Sequence, residues 1–245
     1  MLVLIPARIG SKSIPKKNIV PLAGYPMLAY SILAARLAKK ISRVIVSTDA
    51  EEIAEVAKKY GAEVPFIRPA EISQDHSGDR EVLVHVADWL KEQEGSEPEI
   101  IVYLRPTTPL RDPADLDRAV EEFLANPETT SLRSAHESIE TAYKYLKLEG
   151  KYLAGLFPDY PVRNYYDIPR HLLPQTFHPN GYVDIVKTEV MKRTNSAYGD
   201  KIQGFVTPLV GEIDSPEELM YMEYQLSRKG HPLHEELKKR YPPIL

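Results

Sequence analysis

A short loop near the start of the chain combines cationic side chains with small residues, a composition typical of an anion site. The loop follows an apolar run, Leu2 to Ile5, long enough for a buried strand, and Pro6 ends that run because it has no N–H to donate. Gly and Ser let backbone N–H groups point at phosphate oxygens, and Arg and Lys neutralise the charge. The residues concerned are Arg8, Gly10, Ser11, Lys12, Lys16 and Lys17. The alternative interpretation is a solvated basic turn after an N-terminal strand.

The position of this loop favours a ligand site, because open α/β sheets bind ligands beyond the carboxyl ends of their strands. The loop is nevertheless not a Walker A motif. That motif needs Gly directly before its Lys and another Gly five residues earlier, whereas here Ser11 precedes Lys12 and Pro6 stands at the earlier position. The G-x-G-x-x-G pattern is absent from the loop as well.

Residues 5–18 resemble the N-terminal signature of the acylneuraminate cytidylyltransferases, or CMP-sialic acid synthetases, which is close to I-P-A-R-x-G-S-K-x-I-P-x-K-N. The matching positions are Ile5, Pro6, Ala7, Arg8, Gly10, Ser11, Lys12, Ile14, Pro15, Lys17 and Asn18. Related Kdo cytidylyltransferases usually carry Ser-Thr-Arg-Leu-Pro in this loop, so the Gly-Ser-Lys sequence indicates the sialate side.

The resemblance implies a fold and a reaction. The fold would be α/β, a Rossmann-like, mostly parallel sheet flanked by helices, of the nucleotide-diphospho-sugar transferase type. The reaction would join CTP to a nine-carbon 2-keto sugar acid, giving the CMP-sugar and pyrophosphate. The family uses Mg²⁺ as cofactor and forms dimers, so we expect a Mg²⁺ site and a homodimer.

The resemblance also implies which residues contact the nucleotide. Arg8, Lys12 and Lys17 would brace the triphosphate. Arg68, in an R-P-A-E stretch that matches the family, would hold the cytosine, since an Arg fork can donate to the O2 and N3 acceptors of the base. The full predicted nucleotide-binding set is Ala7, Arg8, Gly10, Ser11, Lys12, Lys17, Asn18, Arg68 and Asp79. Asp79 departs from the family, in which a Ser near this position contacts the base.

The sugar acid site is predicted from two further stretches. Arg105 lies in L-R-P-T-T-P-L-R, where the family usually has Gln, and Arg170 matches a family cation. His178, in F-H-P-N-G, replaces a second family Arg and on its own also fits a packing residue in a turn. The predicted substrate-binding residues are Arg105, Thr107, Arg170, Gln175, His178 and Asn180.

Two carboxylates before a helix, Glu212 and Asp214, resemble the family's D-x-D metal motif. Mg²⁺ prefers oxygen ligands and is usually held by one or two carboxylates plus phosphates. Asp214 matches the motif, and Glu212 stands where its first Asp would be. The alternative is a pair of ordinary loop acids.

A D-H-S-G-D stretch, residues 75–79, has metal-ligand residue types but also fits a helix-capping loop. The predicted catalytic residues are Arg8, Lys12, Lys17 and Asp214.

The departures at Arg105, His178 and Glu212 leave two other functions open. One is a nucleotidyltransferase of the same fold that uses a different sugar acceptor. The other is a nucleotide-binding homologue that has lost catalysis, for which the Glu at position 212 is the only support.

Alternating helices and strands are predicted to position these side chains. Helical spacing predicts a helix over Pro26–Lys40, followed by a strand over Arg43–Thr48. Asp49 is a plausible N-cap for a helix over Ala50–Tyr60, and Glu63–Ile67 is predicted to be a strand. Short strand–helix units of this kind indicate parallel pairing through right-handed crossovers. Further strands are predicted over Glu99–Leu104, Thr129–Ser134, Asn180–Lys187 and Phe205–Pro208, and further helices over Asp79–Gln93 and Ser215–Ser227.

The domain organisation predicted is a single domain over residues 1–245 with an inserted ribbon and loop over residues 140–178. The insert alternates aromatic and polar residues around a Glu-Gly turn pair and is rich in Tyr, Pro and Arg. A long loop with many aromatic residues suggests a partner surface, and in the resembled family this region carries dimer contacts.

Composition excludes several classes of protein. The chain has 245 residues, 43% of them hydrophobic, a formal net charge of −4 and no cysteine. Disulfides and thiolate metal sites are therefore excluded, and the mild acidity argues against a nucleic-acid-binding protein. The N-terminal apolar run is too short for a signal peptide, and no apolar stretch approaches a membrane span of about 20 residues. We expect a cytoplasmic protein with no membrane partner.

Overall fold

The computed structural model describes residues 1–244, and its centre is a six-stranded, mostly parallel sheet. The strands are β1 (Leu2–Pro6), β2 (Pro21–Leu22), β3 (Tyr25–Pro26), β4 (Arg43–Ser47), β5 (Ile100–Tyr103), β6 (Ser131–Glu137), β7 (Leu146–Glu149), β8 (Tyr152–Gly155), β9 (Phe177–Lys187) and β10 (Ile202–Thr207). The sheet order is β10-β6-β9-β5-β1-β4, while β2–β3 and β7–β8 form separate two-stranded ribbons. Only β9 runs antiparallel to its neighbours, β5 and β6. The predicted fold class is confirmed.

Seven helices cover the two faces of the sheet in the described part of the chain. They are α1 (Met27–Leu37), α2 (Glu51–Lys59), α3 (Asp79–Glu94), α4 (Pro113–Ala125), α5 (Thr188–Arg193), α6 (Pro216–Lys229) and α7 (Pro232–Arg240). Asp112 begins α4, since its carboxylate accepts a hydrogen bond from Ala114 N at 2.9 Å. Asn18 lies in a short 3-10 turn, Lys17–Ile19, that closes the loop after β1.

Strand β1 lies inside the sheet because it is apolar on both faces. Val3 and Ile5 belong to the larger core cluster, which contains α1 and α4. Leu2 and Leu4 point the other way, into the cluster that contains α3. Successive side chains of a strand face opposite sides of a sheet, so a continuous apolar run is what a strand covered by helices on both faces requires.

The predicted helix cap at Asp49 is wrong. Helix α2 begins at Glu51, and no side chain caps it. The Asp49 carboxylate instead accepts a hydrogen bond from Ile9 N at 2.8 Å. The side chain that local sequence assigns to a helix start therefore fixes the loop after β1.

The predicted strand over Glu63–Ile67 is also not formed. Only two isolated bridges remain, Ile45 with Glu63 and Thr48 with Ile67. Pro65 lies between them and has no N–H for a ladder, so the segment follows the edge of β4 without joining it continuously.

Strand β9 is longer than predicted because it pairs with β6 on both sides of an irregularity. The register shifts between Arg133 and Ala135, and pairing then continues to Glu137 with Phe177. The extra residues carry His178 to the same edge of the sheet as the loop after β1.

The segment predicted as an insertion contains the β7–β8 ribbon and a cluster of aromatic rings. Tyr143 stacks on Phe157 with centroids 4.4 Å apart, and Tyr160 and Tyr165 pack beside them. The division into one domain with an insertion at residues 140–178 stays a prediction.

Within residues 1–244, no helix has both the length and the apolar character that a membrane span requires.

Helix α6 has a capping box that also fixes the residue before it. Ser215 Oγ accepts from Glu218 N at 3.2 Å, and Glu218 Oε2 accepts from Ser215 N at 2.8 Å and from Asp214 N at 2.7 Å. The helix start therefore determines the backbone position of Asp214.

We predict that Ser215→Ala lowers the free energy of unfolding by about 1 kcal/mol, because the N-cap hydrogen bond is lost. Urea unfolding measures this change. Ser227→Ala, in the last turn of the same helix, is the control and should change stability much less. Equal stability of Ser215→Ala and the wild type would show that the cap contributes nothing.

Candidate active site

A cleft of about 250 Å³ opens at the carboxyl ends of β1 and β5. Three parts of the chain line it: the loop after β1, the segment from Arg68 to the first turn of α3, and the residues after β5. Lining residues that were predicted from sequence are Arg8, Gly10, Ser11, Lys17, Asn18, Arg68, Asp79, Arg105 and Thr107. The structure therefore brings residues from distant parts of the sequence into one site.

The loop after β1 is held by hydrogen bonds at both ends. Ile9 N donates to the Asp49 carboxylate, and Asn18 Nδ2 donates to Arg8 O at 2.8 Å. Lys16 adopts a left-handed backbone conformation, with φ of 52°, where the loop turns into the short 3-10 helix. Ala7 is fully buried and its N–H donates to Ser47 O at 2.9 Å, so this predicted nucleotide-binding residue has neither a side chain nor an N–H free for a ligand.

The cations of the loop are paired with carboxylates. Asp75 receives Arg8 Nη1 and Lys12 Nζ on its two oxygens, each at 2.6 Å. Lys17 Nζ lies 2.7 Å from Asp214 Oδ1. The hydrogen bonds from Lys12 and then Arg8 hold the pKa of Asp75 below its ordinary value.

Arg68 is buried in the wall of the cleft. Its Nε donates to Ser73 Oγ at 2.9 Å, and its backbone N donates to Thr48 O at 2.7 Å. Burial lowers the pKa of Arg68, while the nearby Asp49 and Tyr103 raise it in part. The guanidinium is thus a cation of the cleft wall that has no direct carboxylate partner among the described salt bridges of residues 1–244.

Arg105 lines the cleft and takes part in an ionic network with two carboxylates. Its Nη1 lies 2.6 Å from Asp184 Oδ2, and its Nη2 lies 2.5 Å from Asp79 Oδ2. Tyr103 Oη donates to the other Asp79 oxygen at 2.9 Å, and Tyr198 Oη donates to Asp184 Oδ2 at 2.9 Å. The Arg105 cation is therefore already balanced by carboxylates of the protein.

Glu212 and Asp214 lie at the edge of the cleft. Ile213 N donates to Thr107 O at 2.8 Å, which ties their loop to the residues after β5. Burial raises the pKa of Glu212, and the Asp214 carboxylate raises it further. A half-buried carboxylate beside a second carboxylate fits a divalent cation, whose charge would offset both the burial of Glu212 and the repulsion from Asp214.

No cluster in residues 1–244 has three or more His, Asp or Glu side chains placed to hold a metal ion. The stretch at residues 75–79 therefore does not form a metal cluster. It begins α3 instead, where Glu81 Oε2 accepts from Gly78 N at 3.0 Å.

The remaining predicted sugar acid residues lie outside the first cleft. Arg170 and Gln175 line two adjoining clefts beside β9. His178 packs on His136 with ring centroids 5.4 Å apart. Asn180 is fully buried, and its Nδ2 donates to Thr207 Oγ1 at 2.8 Å. The Asn180 side chain therefore stabilises the ends of β9 and β10 and cannot contact a ligand in this conformation.

Four residues that shape the site were not predicted from the sequence. Asp49 was expected to cap a helix, and Asp75 was expected to lie either in a metal cluster or in a helix-capping loop. Tyr103 and Asp184 lie within apolar strand sequences, and a polar residue in a strand buried on both faces was the available signal.

The sheet and the cleft at its carboxyl edge define an α/β protein of the nucleotide-binding class. Residues 2–153 match the family described as cytidylyltransferase. The chain belongs to this family.

Several curated relatives are named as cytidylyltransferases or CMP-sugar acid synthases. A pseudaminic acid cytidylyltransferase of Campylobacter jejuni serotype O:2 is 39% identical over 125 residues, which are 51% of this chain and 53% of the relative. A CMP-N,N'-diacetyllegionaminic acid synthase of Legionella pneumophila is 39% identical over 123 residues, 49% of this chain and 52% of the relative. The matched region thus spans about half the length of these relatives. A post-translational flagellin modification protein B of Campylobacter coli matches at 26% identity over 94% of this chain and 96% of its own.

Solved structures share the fold. A CMP:2-keto-3-deoxy-manno-octonic acid synthetase complexed with CTP superposes with a TM-score of 0.69 at 17% identity, covering 93% of this chain and 98% of that one. At this identity the likeness shows the fold alone.

We predict that Asp75→Asn strengthens CTP binding severalfold at low ionic strength, because Asp75 occupies two loop cations that a phosphate would otherwise pair with. Calorimetric titration measures the affinity. Glu52→Gln is the matched control, since Glu52 pairs with Lys16 of the same loop at 2.6 Å and does not line the cleft. Weaker CTP binding by Asp75→Asn would contradict the prediction and make Asp75 an orienting group for the cations.

Proposed function

We propose that the protein is a cytidylyltransferase that activates a nine-carbon 2-keto sugar acid with CTP. The observation that carries the proposal is that two loop cations, Arg8 and Lys17, line one cleft together with the buried Arg68, while Lys12 pairs with Asp75 of the same cleft wall. A triphosphate and a pyrimidine base need this pairing of a cationic loop with a hydrogen-bond donor for the base. The names of the curated relatives support a sugar acid acceptor.

The nucleotide would lie along the cleft with its triphosphate on the loop after β1. Arg8, Lys12 and Lys17 would neutralise the phosphates, with Gly10 and Ser11 allowing the backbone to approach them. Asn18 would act mainly by holding Arg8 O, which fixes the loop. Arg68 would donate to the base acceptors O2 and N3.

The reaction would be a nucleotidyl transfer. The anomeric hydroxyl oxygen of the sugar acid forms a bond to the α-phosphorus of CTP, and the bond from that phosphorus to the α,β-bridging oxygen breaks. The products are the CMP-sugar and pyrophosphate, and the hydroxyl proton is lost to solvent. Such a transfer depends on positioning and charge neutralisation more than on covalent catalysis by the protein. Lys17, which pairs with Asp214, would contribute to both.

Asp214 and Glu212 are the residues that would hold Mg²⁺. The bound ion would supply positive charge to the phosphate oxygens. The like charges of these two carboxylates, expressed in the raised pKa of Glu212, support this assignment.

The acceptor would lie toward Arg170, Gln175 and His178, beyond the first cleft. Arg170 is half-exposed, and its Nη2 donates to Ser138 O at 3.2 Å and lies 3.9 Å from Glu137. Its other N–H groups would be the ones available to an acid substrate. Because Arg105 is occupied by Asp79 and Asp184, a different sugar acceptor of the same reaction is the second candidate function. A catalytically inactive nucleotide-binding homologue is the third, since Glu212 departs from the D-x-D motif.

The test is pyrophosphate release from CTP and Mg²⁺ with a panel of 2-keto sugar acids that includes neuraminate, pseudaminate and legionaminate types, with UTP and ATP as nucleotide controls. We expect release that requires CTP and one acid. Release with another sugar alone would favour the second candidate. Tight CTP binding without release across the panel would overturn the proposed activity and favour the third.

We predict that Asp214→Ala lowers Mg²⁺-dependent turnover by at least about two orders of magnitude and leaves the thermal midpoint nearly unchanged, because the lost carboxylate is at the surface. Asp200→Ala, an exposed carboxylate in the loop before β10, is the control and should keep full turnover. Near-normal turnover of Asp214→Ala would remove Asp214 from the metal site.

We further propose that the β7–β8 ribbon contacts a second copy of the chain. Leu148 and Leu153 are directly opposite each other in the ribbon and are 70% and 64% exposed. Leu146 lies on the same face, and an isolated two-stranded ribbon is marginally stable by itself. A second copy would cover this apolar face and stabilise the ribbon.

CTP is a cytoplasmic metabolite, so we expect the protein to act in the cytoplasm.

We predict a homodimer that Leu153→Glu converts to monomer, because a charge would be buried in the contact. Sedimentation equilibrium measures the mass. Leu124→Glu, at an exposed leucine of α4, is the control and should leave the dimer intact. A wild-type protein that is monomeric at micromolar concentration would contradict the proposal.

A further inference from the structure

The Arg105 guanidinium is held by two carboxylates of the protein, an arrangement that a contact with a sugar acid does not explain. Arg105 is 22% exposed and bridges two carboxylates, Asp184 at 2.6 Å and Asp79 at 2.5 Å. Asp184 is 1% exposed, and its other oxygen lies 3.9 Å from Arg133 Nε. A buried carboxylate needs such cations, because an unpaired charge in the interior costs far more than an exposed one. Arg105 is therefore anchored from below by Asp184.

The same anchor fixes Asp79 at the cleft. Asp79 lines the cleft, and its two oxygens accept from Arg105 Nη2 and from Tyr103 Oη at 2.9 Å. Tyr103 in turn packs under the Arg105 guanidinium, 5.3 Å from ring centroid to Cζ. An ionised carboxylate has about four acceptor positions, and two of them are used here. The remaining acceptor positions of the Asp79 carboxylate are free for a ligand, and Arg105 and Tyr103 fix the orientation of that carboxylate.

Charge decides which part of a nucleotide can lie beside Asp79. The triphosphate belongs at the cationic loop, and a carboxylate would repel it. Arg68 lines the same cleft as Asp79, and its guanidinium is a hydrogen-bond donor there. A donor at Arg68 and an acceptor at Asp79 match the acceptors and the exocyclic amino group of cytosine. Uracil has a carbonyl oxygen at the position of that amino group, and this oxygen would face the carboxylate.

We propose that Arg105 is a positioning residue that holds the Asp79 carboxylate toward the exocyclic amino group of the base, so that Asp79 selects CTP over UTP. The inference rests on the proposed function and deepens it. It replaces the expectation that Arg105 binds the sugar acid, since the charge of Arg105 is already matched by carboxylates of the protein.

The experiment compares the affinities for CTP and UTP, by calorimetry, with the KM for the sugar acid. Asp79→Asn removes the ionised acceptor and gives an amide that can donate to uracil, so the CTP-over-UTP ratio should fall by roughly tenfold or more. Arg105→Lys keeps the charge but cannot bridge two carboxylates, so it should lower the same ratio and leave the KM for the acid nearly unchanged. Arg118→Lys, at an exposed arginine of α4 paired with Asp115, is the matched control.

Three results would overturn the inference. A raised KM for the acid with an unchanged CTP-over-UTP ratio in Arg105→Lys would assign Arg105 to the sugar acid. An equal loss of CTP and UTP binding in Asp79→Asn would place Asp79 at the ribose. A wild-type protein that binds neither nucleotide would overturn the proposed function as well, so the two failures are distinguishable. Lys is chosen for position 105 because it keeps a cation beside the buried Asp184 and so preserves the fold. Arg105→Met would leave that carboxylate without this partner.

Discussion

The hydrogen bond from Ile9 N to the Asp49 carboxylate ties together the ends of two neighbouring strands, β1 and β4, and the site depends on this link. Strand β1 is buried on both faces, so its carboxyl end is fixed by the core. The loop that follows is mostly polar and has no core of its own. Asp49 and Asn18 supply the contacts that give it one conformation. The cations of the loop are thereby presented at a defined edge of the sheet.

In the rest of the cleft, ion pairs between cations and carboxylates hold the charged side chains in position. A group of cations held close together is stable only if anions are near, and the protein supplies them from two other segments through Asp75 and Asp214. Around Arg105 the balance is reversed, because one guanidinium pairs with two carboxylates, Asp79 and Asp184. In the proposed complex the cationic loop would hold the phosphates and Asp79 would face the base, which would give the nucleotide one orientation.

The fold could be predicted largely from the sequence, whereas the site could be predicted only in part. Apolar runs and helix signals determine elements such as β1 and α6, since burial and capping act locally. The partners of Asp49 and Arg105 could not be found in the same way. Asp49 is 40 residues from Ile9, and Arg105 is 26 residues from Asp79 and 79 from Asp184, so these groups meet only once the sheet and its helices have assembled. Local sequence gives Asp49 an equally good role as a helix cap. Asn180 lies in a family motif, yet the end of β9 buries it.

A crystal structure of the protein with CTP and Mg²⁺ would test the proposed nucleotide site most directly. We predict that the triphosphate lies on the loop after β1 in contact with Arg8, Lys12 and Lys17. We also predict that the Asp75 carboxylate is displaced from Arg8 and Lys12 and that the base lies beside Arg68. A triphosphate bound elsewhere, or a base that lies against the loop cations with Asp75 still in place, would contradict these predictions.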